Sequence, residues 1–230
     1  MDLSALFDGT TLGIVVGGTL LATVLRCGRK DVRDTVHTVL RRIFAPPRFD
    51  PDAVRSGLAR AAQDFQRNGP LRANPRSTGD GEFDDALHAL LTHRSIARFD
   101  EALAQAREKR LGPVEAAIRT LVQATELAPI FGLAGTLISL SQMPAQGVDR
   151  SAYLTAIGMA VHATLYGLVL ANLLLAPLAR VVERHARQEE EARAKLARWF
   201  GSEIAPTMMP KHDGVHPHEA RVHHHPVVAA

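Results

Sequence analysis

The 230-residue chain lacks the sequence signatures of several protein classes. It has one cysteine, Cys27, which excludes an intrachain disulfide scaffold, and it has no collagen-type glycine period. Its apolar content of 46% is too high for a wholly disordered chain. Basic residues outnumber acidic ones by 27 to 24, which gives a formal net charge of only +3. The sequence pI near 9.4 would indicate nucleic-acid binding only if the basic residues clustered on one surface.

Motifs that carry enzyme chemistry or bind metals are also missing from the sequence. No glycine-rich run ends in Gly-Lys-Ser or Gly-Lys-Thr, as a phosphate-binding P-loop does, and no Gly-x-Ser-x-Gly nucleophile elbow occurs. Neither a Cys-x-x-Cys pair nor a His-Glu-x-x-His motif is present to hold zinc. We therefore predict that the protein is not an enzyme and uses no cofactor or metal site.

Charged residues are absent from long stretches of the chain. Residues 9–25 and 127–148 contain no Asp, Glu, Lys, Arg or His, and residues 151–179 contain only His162 among these types. A membrane-spanning helix needs about 20 apolar residues, and a soluble chain of this length could not cover three such helices on all sides. We predict an all-α polytopic membrane protein with a helical cytoplasmic region and three transmembrane helices, at residues 9–26, 123–144 and 153–178.

The basic residues predict how these helices are oriented. Of the 27 Lys and Arg residues, none precedes Arg26, one (Arg150) lies in the short loop 145–152, and the other 26 lie at the end of the first span (Arg26) or in the two polar regions. Because basic segments stay on the cytoplasmic side, we expect residues 1–8 to be periplasmic and the C-terminus to lie in the cytoplasm of a bacterial inner membrane. The basic residues then face anionic lipid, and we predict no nucleic-acid partner. The N-terminus has no basic n-region, so we expect an uncleaved anchor.

The polar regions have the spacing of amphipathic helices and no alternating strand pattern. In the cytoplasmic region 27–122, helical spacing covers residues 30–44, 50–68 and 83–109, and Pro46 and Pro47 end the first of these helices. After the third span we predict a cytoplasmic helix over residues 179–200 and a disordered tail over residues 201–230. The tail holds six of the eleven histidines, which leaves a metal-sensing membrane protein open as an alternative.

Small and polar side chains recur on one face of each of the last two spans. At steps of three and four residues, the second span carries Thr125, Pro129, Gly132, Thr136 and Ser139, and the third carries Ala156, Ala160, Thr164, Gly167 and Ala171. Small faces let helices approach closely, and hydroxyl groups on them bond across helices or line a wet path. The pattern alone leaves packing in a non-conducting scaffold open as an interpretation.

Three runs in the predicted membrane helices are distinctive: IVVGGTLLATVL at residues 14–25, APIFGLAGTLISL at residues 128–140 and MAVHATLYGLVLANLLLAP at residues 159–177. They resemble the membrane helices of the MotA/TolQ/ExbB family of proton-channel proteins. The resemblance implies a pore-forming subunit of an ion-driven (H⁺ or Na⁺) motor complex, and a MotA-like flagellar stator subunit is favoured. An ExbB/TolQ-like energiser of outer-membrane transport is the alternative, because the three-span layout lacks the first of the four MotA helices.

The resemblance also implies partners and residue roles. Family members assemble as pentamers around a MotB-like or ExbD-like single-span partner that carries the ion-binding aspartate, and neither signature helix here has a carboxylate at its middle. Thr136 and Thr164 match ion-pathway residues. Pro129 and Pro177 match hinge residues near the cytoplasmic mouth, although Pro177 also fits a simple helix end. The residues expected at helix–helix contacts are Gly132, Gly135, Tyr166, Gly167 and Asn172.

His162 stands where the family usually has an apolar residue. It precedes Thr164 by two positions, about 200° around a helix, and should therefore face a neighbouring helix or subunit. Two interpretations are open, a proton relay or pH sensor and a hydrogen-bonded packing residue. Unchanged ion flux in a His162→Ala variant between about pH 5 and pH 8 would exclude the relay.

Overall fold

The computed structural model describes residues 8–44, 49–69, 72–142 and 150–208. This part of the chain is helical and contains no strand, which confirms the all-α prediction. Its elements are α1 (Gly9–Cys27), α2 (Arg29–Phe44), α3 (Pro51–Asn68), α4 (Gly81–His93), α5 (Ile96–Ser141), α6 (Arg150–Val169), a π-helical segment (Leu170–Leu175) and α7 (Ala176–Met208).

Among the described residues, three helices are long and apolar enough to cross a membrane, as predicted. They are α1, α5 and the continuous helix Arg150–Met208, which joins α6, the π-helical segment and α7. The last two helices extend far beyond the predicted spans: α5 has 46 residues and the continuous helix has 59. The apolar half of each is therefore rigidly connected to a polar half. Residues 143–149, most of the predicted loop, lie outside the described residues.

The predicted helix over residues 83–109 is in fact two helices. Arg94 adopts a left-handed conformation (φ 52°) and its N–H donates to the carbonyl oxygen of Leu90, which ends α4 before Ser95 and α5 follow. The apolar spacing continues across this break because both helices bury side chains in the same core, Leu90 from α4 and Phe99 from α5. Periodicity in the sequence therefore does not reveal the turn.

The predicted disorder after residue 200 is wrong for residues 201–208. Helix α7 continues to Met208, because Phe200 and Ile204 bury their side chains fully against the core of the polar region. This apolar contact offsets the helix-breaking tendency of Gly201 and Pro206. Residues 209–230, with all six histidines of the predicted tail, lie outside the described residues, as do Pro46 and Pro47.

Two apolar clusters hold the polar region together. In the first, side chains from α3, α4, the start of α5 and the end of α7 surround Phe200, whose ring lies 5.2 Å from that of Phe99 and 6.5 Å from that of Phe65. In the second, Val39 of α2 packs with α5 and α7, where Val182 is fully buried. The clusters fix α2, α5 and α7 side by side where they continue from the apolar helices.

Asp84 ties the segment before α4 to that helix. Its carboxylate accepts hydrogen bonds from the Ser77 hydroxyl (2.6 Å) and from the backbone N–H and hydroxyl of Thr78 (both 2.7 Å). Burial alone would raise the pKa of Asp84, but the hydrogen bonds from Ser77 and Thr78 outweigh it and hold the pKa below the ordinary 3.8. The charged form is therefore the one that stabilises this turn.

We expect Asp84→Asn to lower the free energy of unfolding by about 1–2 kcal/mol at neutral pH, an effect limited by solvent screening of this half-exposed group. A carboxyl with a lowered folded-state pKa stabilises the protein above its unfolded pKa of about 3.9, and this contribution is lost as the pH falls through the folded value. The difference from wild type should therefore shrink between pH 7 and pH 3 in denaturant titrations. Asp85→Asn, at the adjacent exposed position, is the control, and a pH-independent effect of Asp84→Asn would contradict the prediction.

Candidate functional site

Helices α5 and α6 touch through glycine residues. A Cβ atom on Gly167 would lie 2.7 Å from the Ala128 carbonyl oxygen and 3.0 Å from the Gly132 Cα, and one on Gly132 would lie 3.0 Å from the Ala163 carbonyl oxygen. A Cβ on Gly135 would meet the Ala163 methyl group at 2.9 Å. Backbone contacts this close require residues without a side chain on at least one helix. The three glycines predicted at helix–helix contacts therefore lie together at this interface.

Helix α1 packs against one flank of the α5–α6 pair. Its Gly18 lies against the ring of Phe131 on α5, and Asp8, which caps α1, donates its N–H to the Tyr166 hydroxyl of α6 (2.9 Å). The His162 ring stacks on that of Tyr166 with their centroids 6.0 Å apart and an interplanar angle of 21°. His162 and Tyr166 thus lie on the flank that faces α1.

The two predicted ion-pathway threonines lie on the opposite flank. At 100° per residue, Thr136 is about 140° around α5 from Phe131, and Thr164 is about 160° around α6 from Tyr166. Pro129 precedes Thr136 by seven residues and shares its direction to within about 20°. All three side chains are half-buried at the edge of the glycine contact. The structure therefore brings Thr136, Thr164 and Pro129 to one side of the helix pair, away from α1 and His162.

The hydroxyl groups on this flank have a defined chemistry. Thr136 donates to the carbonyl oxygen of Leu133 (2.6 Å), and Thr164 is 3.4 Å from that of Ala160, so both hydrogens point at their own helix. Each oxygen keeps lone pairs that can accept a hydrogen bond or coordinate a cation. Residues 127–141 of α5 and 151–175 of the following helix contain no Asp or Glu. A cation crossing here would need its countercharge from another chain.

Prolines lie inside the long helices at two predicted positions, Pro129 and Pro177, and at two that sequence reasoning missed, Pro113 and Pro206. Pro129 lies inside α5 and leaves the Thr125 carbonyl without its helical donor. Pro113, also inside α5, leaves the Lys109 carbonyl without its donor in the same way. Pro177 follows the π-helical segment, in which the Ala176 N–H donates to the Ala171 carbonyl. The helix continues beyond Pro177, so the interpretation of this residue as a simple helix end is wrong; the π-helical turn accommodates the proline.

Asn172 does not join the other predicted contact residues. Its side chain is exposed and its amide donates to the Leu168 carbonyl of the same helix (3.0 Å), so an interhelical contact would have to involve another chain. Sequence reasoning also missed Asp8, which docks α1 onto α6. An aspartate directly before an apolar helix is a capping signal, but its partner 158 residues away is not visible in the sequence.

Comparison with known proteins identifies the arrangement. The model of the MotA/TolQ/ExbB proton channel family matches residues 79–195, about half of the chain. Motility protein A of Cereibacter sphaeroides is 26% identical over 185 residues (79% of this chain, 72% of the relative), and Motility protein A of Aquifex aeolicus is 28% identical over 196 residues (80% and 73%).

Solved structures have the same fold. The flagellar MotAB stator complex from Bacillus subtilis matches with a TM-score of 0.71 at 21% identity (90% of this chain, 81% of that chain). C. jejuni MotAB matches with a TM-score of 0.72 at 16% identity (90% and 86%). The family match confirms the resemblance of the last two membrane helices, and the chain belongs to the MotA/TolQ/ExbB proton channel family.

Proposed function

We propose that the chain is the pore-forming subunit of a flagellar stator and that it converts ion-motive force into mechanical work together with a MotB-like partner. One observation carries the proposal: the α5–α6 pair presents the Thr136 and Thr164 oxygens on its free flank, with no Asp or Glu in residues 127–142 or 151–175. The relatives named Motility protein A and the fold shared with two MotAB structures favour a stator over an ExbB/TolQ-type energiser.

In the proposed complex, five copies of the chain surround the partner's single membrane helices in a bacterial inner membrane. The N-terminus is outside and the C-terminus is in the cytoplasm, which is supported by the location of 26 of the 27 basic residues at the end of the first span (Arg26) or in the two polar regions. The free flank of α5 and α6 faces the partner, since α1 already covers the other flank. Exposed leucines beside this flank, such as Leu133 and Leu137, face neighbouring helices or lipid.

The ion then moves between hydroxyl oxygens and a carboxylate supplied by the partner. Thr136 and Thr164 replace part of the hydration shell of Na⁺ or accept a hydrogen bond from a proton carrier. Neutralising the partner's aspartate changes the contact between the two proteins at this flank. Pro129 lies on the same flank and weakens α5 at one turn, so a small bend there costs little and reaches the polar half of the same helix.

His162 has a packing role in this proposal. Its ring stacks on Tyr166, and Tyr166 holds the N-terminal cap of α1. Both lie on the flank opposite to Thr164, away from the proposed path. Support for α1, not proton relay, is therefore the role that we assign to His162.

Thr164→Val tests the ion path directly. With a MotB-like partner co-expressed, we expect the variant to lower ion flux about tenfold or more, because a lost hydrogen bond to a charged group is worth about 1.5–3 kcal/mol and 1.4 kcal/mol is a factor of ten. Cytoplasmic acidification measures H⁺ flux and uptake of labelled Na⁺ measures Na⁺ flux, so the two readings together separate the ions. Valine keeps the shape of threonine, so packing of the helix pair changes little.

Thr155→Val is the matched control. Thr155 lies on the same helix, is exposed, and donates to the Ser151 carbonyl (2.9 Å) outside the glycine contact. Its replacement should leave flux unchanged. Wild-type protein that gives no partner-dependent flux would overturn the channel proposal in favour of a scaffold. Flux that supports outer-membrane uptake, but not swimming, in a strain without its own stator would overturn the stator assignment alone.

A further inference from the structure

Two polar residues of the membrane helices have no role in the ion path proposed above. Thr125 lies on α5, two residues before the uncharged run that begins at Leu127, and Asn172 lies in the π-helical segment. The Asn172 side chain is exposed, and so are those of the nearby Leu168, Leu173 and Leu174. Polar side chains in membrane helices face a bundle interior or a wet cavity, because lipid leaves their hydrogen-bonding groups unsatisfied. We therefore expect Asn172 to face water or another chain.

Both residues lie on the flank of the helix pair that carries Thr136 and Thr164. Thr125 precedes Thr136 by 11 residues, so their side chains differ in direction by about 20° around α5. Asn172 follows Thr164 by eight residues, which corresponds to about 80° around an ideal α-helix. The π-helical segment has hydrogen bonds between residues five apart and turns less per residue, so the angle in the structure is smaller. The flank thus carries two pairs of polar residues.

The residues of the second pair lie at the same level of the two helices. Helices α5 and α6 run antiparallel, and Gly167 faces α5 between Ala128 and Gly132. Asn172 is five residues beyond Gly167 in the direction of the polar region, so it lies opposite the turn of α5 that contains Thr125. The π-helical segment packs against α5. One ligand on this flank could therefore be reached from both helices.

The second pair offers oxygen atoms as acceptors. The Thr125 hydroxyl donates to the Leu121 carbonyl oxygen (2.8 Å), and the Asn172 amide nitrogen donates to the Leu168 carbonyl oxygen (3.0 Å). Thr125 Oγ1 and Asn172 Oδ1 therefore keep lone pairs. The Thr125 carbonyl, which Pro129 deprives of its helical donor, adds a third oxygen at this level. Carbonyl and hydroxyl oxygens can replace part of the hydration shell of a cation.

The two polar pairs are too far apart to hold the same ion. They are separated by 11 residues on α5 and by eight on the following helix, which is about 12–17 Å at 1.5 Å per residue. The second pair is the one beside the polar region. Glu126, exposed next to Thr125, is the first carboxylate that an ion meets on leaving the uncharged run. Its charge attracts a cation in that direction.

We propose that Thr125 and Asn172 form an exit site, which binds a monovalent cation after it leaves Thr136 and Thr164 and before it enters the cytoplasm. The inference rests on the proposed function, because it requires ion flow along this flank. The cation is H⁺ carried by water or Na⁺, and both use the same oxygen acceptors. Several weak sites in series suit conduction, since each ion must bind well enough to enter and weakly enough to leave.

Ion flux of the full chain, co-expressed with a MotB-like partner, tests the exit site. We expect Asn172→Leu to lower the maximal flux about tenfold, because it removes a hydrogen-bonding group from a charged ligand. The external ion concentration that gives half-maximal flux should not rise, since the entry side is intact, and Asn172→Gln, which keeps the carboxamide, should restore part of the flux. Acidification and uptake of labelled Na⁺ identify the ion. Leu173→Ala, at the adjacent exposed position, should keep wild-type flux.

Thr125→Val is the second test and decides the matter if Asn172→Leu accumulates poorly or no longer co-purifies with the partner. Valine keeps the shape of threonine, so we expect a similar loss of flux with an unchanged yield of the complex. Wild-type flux in both Thr125→Val and Asn172→Leu, together with reduced flux in Thr164→Val, would overturn the exit site and leave the proposed function standing. An equal loss in Leu173→Ala and Asn172→Leu would also overturn it, because the segment would then act through packing. No partner-dependent flux in wild type would overturn the proposed function itself.

Discussion

Gly167→Ala is expected to abolish partner-dependent ion flux and to lower the free energy of unfolding by about 1–3 kcal/mol. The added methyl group would meet the Ala128 carbonyl oxygen at 2.7 Å and the Gly132 Cα at 3.0 Å. Both are backbone atoms that cannot rotate away, so α5 and α6 must separate. Separation moves Thr164 relative to Thr136, and a displacement of about 1 Å at a functional site is enough for a large loss of activity.

Gly158→Ala is the control for this change. Gly158 lies on the same helix α6, but a Cβ there would meet nothing within 4 Å. Because alanine favours a helix over glycine by about 0.5–1 kcal/mol, this variant should be neutral or slightly more stable than wild type. Unfolding in detergent and cytoplasmic acidification compare the two variants. If Gly158→Ala and Gly167→Ala changed the free energy of unfolding and the ion flux equally, the close α5–α6 contact would not be needed for stability or for flux.

The transmembrane helices could be predicted because their signal is local. A lipid-compatible helix must exclude charge over its whole length, and the absence of charge in residues 127–148 can be read directly from the sequence. The small-residue stripes were equally local, since Gly132 and Gly167 stand at helical spacing from other small residues. The ends of helices were harder to predict, because α7 is extended by contacts that Phe200 and Ile204 make with helices distant in the sequence.

The sequence could not predict which small residues of each row are buried between α5 and α6 and which lie at the edge of that contact. Sequence spacing places Thr136 with Gly132 and Thr164 with Gly167, yet in the structure the glycines are buried while the threonines lie at the edge. The side away from α1 is defined by the hydrogen bond from Asp8 to Tyr166. Such tertiary contacts have no local signature.

The ion-pair network of the polar region was invisible in the sequence for the same reason. Arg193 binds Asp80 through two hydrogen bonds, at 2.9 Å and 2.8 Å, across 113 residues of sequence. Its Nε lies 3.2 Å from Glu189, and a further nitrogen lies 3.4 Å from Glu82. In the sequence these residues belong to charge runs that are typical of solvated helix faces. Folding instead leaves the Arg193 and Asp80 side chains only 11% and 10% exposed.

Arg193→Gln should therefore destabilise the polar region by about 3–5 kcal/mol, since it leaves the Asp80 carboxylate buried without its partner. Burial would lower the pKa of Arg193, but the hydrogen bonds and charge of Asp80, with Glu82 and Glu189, raise it, so the wild-type guanidinium stays charged. Asp80 also caps α4 by accepting from the N–H groups of Glu82 and Phe83. Loss of the guanidinium thus weakens the contact between α4 and α7.

Arg187→Gln on the same helix separates this effect from a general loss of positive charge. Arg187 pairs with Glu191 at 3.5 Å, but the two side chains are 77% and 61% exposed. Exposed pairs at this spacing contribute only about 0.3–0.5 kcal/mol. Denaturant unfolding followed by the fluorescence of Trp199, which packs against the first apolar cluster, reports on the same region in both variants. If the two replacements cost the same free energy, the Arg193 network is solvated and contributes no more than a surface pair.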